Sequence, residues 1–271
     1  MTPLVQASGI VRRYDGAGGG VIAVDDVSLE IAAGTTVGLV GESGSGKSTF
    51  GRVVTGLETA DAGTLRFDGA DVTRLGREAA RALSRERQLV FQDPVASLNP
   101  RQTVAQAIEA PLAIHGVGRD ERRRRAAELL DLVQLGARFA QRYPRSLSGG
   151  QCQRVGIARA LALEPRLVVL DEAVSALDVS VQAQVLNLLH ELQERLGLTY
   201  LFISHDLGVV RYMAQEIVVL RHGRLVERSD RETLFRAPRD AYTRELIAAV
   251  PTIQRDGEPT PAARPTTTPG A

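Results

Sequence analysis

The chain has 271 residues, enough to bury roughly 75% of its unfolded surface, in one large domain or two small ones. A composition of 44% hydrophobic and 24% charged residues sits at the globular average and excludes disorder of the whole chain. A net charge of +1, a 4% aromatic share and no tryptophan give no sign of nucleic-acid binding, which calls for a clustered basic stripe and stacking platforms.

The opening MTPLVQASGIVRRYDG has no basic region followed by an apolar run, so no signal peptide is expected. No apolar run approaches the about 18 residues of a membrane span. Cys152, the single cysteine, excludes an internal disulfide and a site of several thiolates. The chain therefore reads as soluble and cytosolic. Residues 4–40 and 63–68 alternate in a way that predicts an antiparallel sheet. Within the first stretch, residues 36–40 read as a short buried strand.

Next comes Gly41-Glu42-Ser43-Gly44-Ser45-Gly46-Lys47-Ser48-Thr49, which fits G-x-x-x-x-G-K-[ST], followed by a helical pattern over 49–57. Glycines let backbone N–H groups curl into an anion nest, and the helix N-terminus adds partial positive charge. Lys47 would hold the β- and γ-phosphates, and the Ser48 hydroxyl would bind Mg²⁺. Of 33 basic residues, Lys47 alone is lysine. The segment predicts an NTP-binding loop.

From Pro94 to about Arg145 helical periodicity dominates, as over 103–115 and 120–135. The run Arg122 to Arg125 opens the second of these and reads as a solvated helix face. Strand and helix then alternate to residue 221, as a parallel sheet requires. Leu167-Val168-Val169-Leu170 ends in Asp171-Glu172. Asp171 would hold Mg²⁺, directly or through water, and Glu172 would polarise the attacking water. A guanine-reading Asn-Lys-x-Asp motif would need a second lysine, so a regulatory GTPase is not expected. Residues 218–226 read as a hairpin turned at glycine, 240–250 as a final helix, and the Pro- and Thr-rich 251–271 as a disordered tail. His115, His190 and His222 lack companions at ligand spacing.

Leu147-Ser148-Gly149-Gly150-Gln151, with the helix after it, resembles the signature motif of the ATP-binding-cassette ATPases. Gln92 in Val90-Phe91-Gln92-Asp93-Pro94 resembles that family's Q-loop, and Ser175-Ala176-Leu177-Asp178 its D-loop. His205 in Ile203-Ser204-His205-Asp206 resembles the switch histidine, and Tyr14 sits where the family places an aromatic under adenine. Without the resemblance, His205 reads more readily as structural and Tyr14 as packing. The resemblance covers about residues 4–250 as one domain. It implies an α/β fold: a P-loop NTPase core with a mainly parallel sheet, an antiparallel β subdomain and an inserted helical subdomain at about 94–160. It also implies ATP and Mg²⁺, with Gly41, Ser43, Gly44, Gly46, Lys47, Ser48 and Thr49 around the phosphates. Gln92 and Asp171 would join Ser48 at the metal, and Glu172, His205 and Gln92 would serve hydrolysis.

The signature loop is a second anion nest, which one γ-phosphate hardly needs from the same chain. The family solution is a head-to-tail dimer in which Ser148, Gly149, Gly150 and Gln151, with Asp178, close over ATP held by the partner. The interval from Lys47 to Ser148 is too short for a coiled-coil insertion, and the stretch after His205 too short for a β-rich regulatory domain. With one cassette and no fused span, the expectation is a separate ATPase subunit at the cytoplasmic face of the membrane. Its partners would be two integral-membrane permeases, a second ATPase subunit (a homodimer or a sister chain) and, indirectly, a solute-binding protein. The segments 91–101, 171–182 and 241–246 resemble peptide and nickel importers, although Ala241 replaces the usual proline. No cysteine follows Cys152, as in the subunit type without an iron–sulfur extension. The alternative is a soluble cassette serving as a regulatory or nucleic-acid-associated switch.

Overall fold

Alternating apolar residues such as Ile10, Val24, Val27 and Leu29 bury one face of each early strand. The computed structural model describes residues 3–15 and 20–249; the tail expected to be disordered lies outside them. In chain order the elements are β1 (Val5–Tyr14), β2 (Val21–Ile31), β3 (Thr36–Val40), α1 (Lys47–Thr55), β4 (Ala62–Phe67), β5 (Ala70–Asp71), α2 (Arg77–Leu83) and β6 (Arg87–Val90). The helices α3 (Val104–Ile114), α4 (Arg119–Leu132) and α5 (Gly149–Leu161) follow. Then come β7 (Leu167–Asp171), α6 (Val179–Leu196), β8 (Thr199–Ile203), α7 (Leu207–Met213), β9 (Glu216–Arg221), β10 (Arg224–Asp230), α8 (Arg231–Arg236) and α9 (Ala241–Ala248).

The antiparallel sheet runs β2-β1-β4-β5, and a six-stranded sheet runs β10-β9-β3-β8-β7-β6. In the larger sheet only the β9–β10 hairpin pairs antiparallel. One expectation needs correcting: residues 36–40 do not join the antiparallel sheet. All five residues of β3 are buried, and the strand lies between β8 and β9 in parallel register. A continuous apolar run suits such a strand, covered on both faces.

Helix boundaries shift for local reasons. Helix α1 begins two residues earlier than expected, because Gly46 supplies a left-handed cap (φ 100°). It ends before Leu57 at Gly56, also left-handed, whose N–H returns to Arg52 and Val53 carbonyls. Helix α4 stops short of Leu135 because Gln134 takes φ 60°. Helix α3 opens with a Thr103–Gln106 capping box.

The larger sheet separates two cores. On one side Leu39, Phe50, Val169 and Ile203 pack with Ile10 and Leu65 of the antiparallel sheet. On the other, Leu170, Phe202 and Val219 pack with Ile108, Leu129 and Val155 of the helical subdomain. That subdomain therefore shares the sheet's core.

Candidate functional site

The loop after β3 is shaped by the backbone approaching it. A Cβ on Gly46 would lie 2.0 Å from the Ala23 carbonyl oxygen, and the residue's φ of +100° is itself left-handed. Only glycine fits there. Lys47 is buried (4% exposed), and its Nζ donates to the carbonyls of Gly41 (2.8 Å) and Glu42 (2.7 Å). Burial pushes its pKa below that of an ordinary lysine, against the opposing pull of Glu172, Asp171 and Glu42.

Ser48 Oγ donates to Asp171 Oδ1 at 2.8 Å, joining the loop to the end of β7. Burial raises the Asp171 pKa, while the Ser48 hydrogen bond and the Arg52 charge hold it down in part. Glu172 follows in the left-handed region (φ 48°), a strained conformation for a non-glycine residue. Its N–H donates to the Ile203 carbonyl at 3.0 Å. The turn aims the carboxylate at two groups: Gln92 Nε2 donates to Oε2 at 2.7 Å, and His205 Nδ1 lies 3.4 Å from Oε1. Glu172 is largely enclosed, whereas the His205 ring is open to solvent.

These groups converge on a cleft of about 700 Å³. Of the residues singled out from sequence, Gly41, Ser43, Gly44, Gly46, Lys47, Ser48, Thr49, Gln92, Glu172 and His205 line it, and Asp171 reaches it through Ser48. Ala23, Glu42 and Leu246 line it too. Ala23 and Leu246 carry no motif; Glu42 occupies a variable position of the loop and could have been included.

Tyr14 and the signature residues lie outside that wall. The Tyr14 hydroxyl donates to Glu58 Oε2 at 2.5 Å and sits 3.4 Å from Thr49 Oγ1, with the Arg12 guanidinium 4.9 Å from the ring centroid. Ser148 caps α5, and its side chain and N–H exchange hydrogen bonds with Gln151 (3.3 and 3.0 Å). A Cβ on Gly150 would meet Val181 Cγ1 at 2.3 Å, and one on Gly149 would touch Leu177 at 3.5 Å. The signature thus abuts the segment carrying Asp178, which stands at the start of α6 with no side-chain capping bond.

Among the described residues no helix is long and apolar enough to cross a membrane. The oligopeptide transport ATP-binding protein OppD of Mycobacterium tuberculosis is 51% identical over 95% of this chain, which spans 41% of that relative's length. OppF of Bacillus subtilis, named an oligopeptide transport ATP-binding protein, is 49% identical over 89% of this chain and 80% of its own. The fold matches a dimeric, post-hydrolysis structure of the ATP-binding cassette MJ0796 bound to ADP and Pi, with a TM-score of 0.76 and 33% identity. That match covers 83% of this chain and 98% of the other. The family model described as ABC transporter matches residues 24–175, and the chain belongs to that family.

Proposed function

We propose that the chain binds ATP with Mg²⁺ and hydrolyses it, as the nucleotide-binding subunit of an importer for peptides or a related small solute. The observation that carries this reading is the convergence of Lys47, the Ser48–Asp171 pair and the Glu172–Gln92–His205 group on one cleft. The loop amides and the Lys47 ammonium suit the phosphates of a nucleotide. Glu172, held between Gln92 and His205, would take a proton from water. Tyr14, at the rim beside Thr49, is the residue we assign to the adenine.

The donor set fits Mg²⁺, which accepts hard oxygens and needs only one or two carboxylates when phosphates complete its shell. Ser48 Oγ and Asp171 Oδ1 lie side by side, and Gln92, donating through Nε2, keeps Oε1 for a cation. When bound, the ion would neutralise phosphate charge.

The signature and the start of α6 form one outward surface, with Val179 84% exposed beside Asp178. We assign to this surface the nucleotide of a second ATPase subunit, so that Ser148, Gly149, Gly150, Gln151 and Asp178 complete the partner's site. The peptide assignment rests on the names of OppD and OppF, which favour transport over a regulatory or nucleic-acid-associated switch.

Two integral-membrane permeases would hold the chain at the cytoplasmic face, and a solute-binding protein would feed them. Phe91, which is 43% exposed, would carry the coupling. It lines a groove of about 240 Å³ with Leu57 and Arg87 and is one peptide bond from Gln92. Affinity purification from native membranes tests the assignment. Recovery with two permeases is expected; recovery without membrane protein, at undiminished ATPase rate, would overturn it.

A further inference from the structure

Helix α9 reaches the phosphate loop from about 200 residues away in the chain. Tyr242, 2% exposed, accepts the Glu42 N–H on its hydroxyl at 3.0 Å. The other end of that same peptide unit, the Gly41 carbonyl, accepts from Lys47 Nζ at 2.8 Å. A planar peptide held at both its N–H and its C=O has one orientation available. The phenol is itself fixed, because the Arg221 guanidinium lies 4.6 Å from its ring centroid.

The helix behind it is anchored independently. The buried Glu227 carboxylate accepts the N–H groups of Arg239 (2.8 Å) and Asp240 (3.0 Å). The Asp240 side chain in turn caps Tyr242 N–H at 2.8 Å. One turn further on, Leu246 forms part of the cleft wall. Hairpin, helix and loop therefore make a continuous support ending at the Gly41–Glu42 peptide.

We propose that Tyr242 is a positioning residue for the phosphate loop, so that α9 belongs to the nucleotide site and sets its affinity. The inference rests on the reading of this cleft as a nucleotide site. A loop already ordered gives up less conformational freedom on binding than one that must be ordered by the ligand. In Tyr242→Phe the ring still fills its place, but the Glu42 N–H faces an apolar edge and the peptide is held at one end only. The ordering that this hydrogen bond supplied must then come from the ligand, and its typical net worth corresponds to about tenfold in affinity.

Calorimetric titration of the full chain with MgADP comes first, since absence of binding to the parent would sink the nucleotide reading itself. Given binding, Tyr242→Phe should weaken MgADP about tenfold and raise the KM for MgATP in step, with kcat kept within about twofold. The matched control is Tyr200→Phe, which removes a buried tyrosine hydroxyl donating to the Leu189 carbonyl at 3.0 Å, away from the loop. It should lower Tm at least as much and leave MgADP affinity unchanged. Unchanged affinity in Tyr242→Phe, or equal weakening in both variants, would overturn the proposal. Hydrogen exchange supplies a check needing no variant. The Glu42 amide of the nucleotide-free parent should be protected, and free exchange there would also overturn it.

Discussion

Glu172→Gln isolates chemistry from binding. The substitution keeps the side chain's shape and the φ of 48°, so no new backbone strain enters. The contact with Gln92, now 2.7 Å, survives when the new amide turns its oxygen toward Gln92 Nε2, which leaves Gln92 Oε1 for a cation. Stability should therefore stay within about 0.5 kcal/mol of the parent. What disappears is a carboxylate able to accept a proton, and a positioned general base is worth roughly 10²–10⁴ in rate. That range corresponds to about 2.7–5.4 kcal/mol on the barrier. Lys47, Ser48 and Asp171 are untouched, so MgATP affinity should be preserved. Phosphate release under saturating MgATP measures the loss, and size-exclusion chromatography should show an ATP-bound dimer accumulating. Hydrolysis at the parent rate with normal binding would refute the assignment of Glu172 and move the role of base to another group.

Three further tests address other parts of the site. Lys47→Arg keeps the charge but replaces a compact ammonium with a planar fork in a pocket where Nζ already meets two carbonyls within 2.8 Å; steady-state assays should show most ATPase activity lost, and full activity would mean the lone lysine has no special task. Lys47→Ala and Ser148→Arg should each be nearly inactive, yet a mixture that exchanges subunits should regain activity through hybrids with one intact composite site; no recovery despite demonstrated exchange would count against a signature acting on its partner's nucleotide. Burial pushes the Glu227 carboxyl up, but the Arg239 N–H, the Thr243 hydroxyl, the Asp240 N–H and the Arg239 charge together outweigh it and leave the pKa below the usual range. Its contribution is therefore complete above the unfolded-state value and lost as pH falls through the lower folded one. Glu227→Gln should cost ~1.5–3 kcal/mol at pH 7 by urea unfolding, a difference that closes in acid, and a pH-independent difference would refute the linkage.

The phosphate loop was legible because its chemistry is contiguous: glycines, Lys47 and Ser48 fall in one run between a strand and a helix. Asp171 and Glu172 were legible for a related reason, since an acid closing an apolar strand carries its own local signal. The capping role of Ser148 and Gln151 also follows a local pattern. What escaped was contact between distant segments. Ala23, Leu246 and Tyr242 meet the loop as single residues, and nothing near them in sequence marks the encounter. The misplacement of 36–40 has a different origin: the run reads as a buried strand, but a long window of alternation groups it with the half-buried strands before it instead of with the parallel sheet.

Sheet order explains why those distant contacts arise. The neighbours β3, β8, β7 and β6 carry, just past their C-terminal ends, Lys47, His205, Glu172 and Gln92 respectively. Parallel strands stand about 4.8 Å apart, so groups separated by long stretches of sequence come to lie on one rim. This is the edge where open parallel sheets gather their ligands. The other neighbour of β3 is β9, whose Leu220 carbonyl would lie 2.1 Å from a Cβ on Gly41. Its hairpin partner β10 carries Glu227, the carboxylate that anchors the start of α9. A helix fixed there can place a side chain over the loop that follows β3. The reach of Tyr242 to Glu42 is thus a consequence of strand order, and it makes the last described helix a wall of the site.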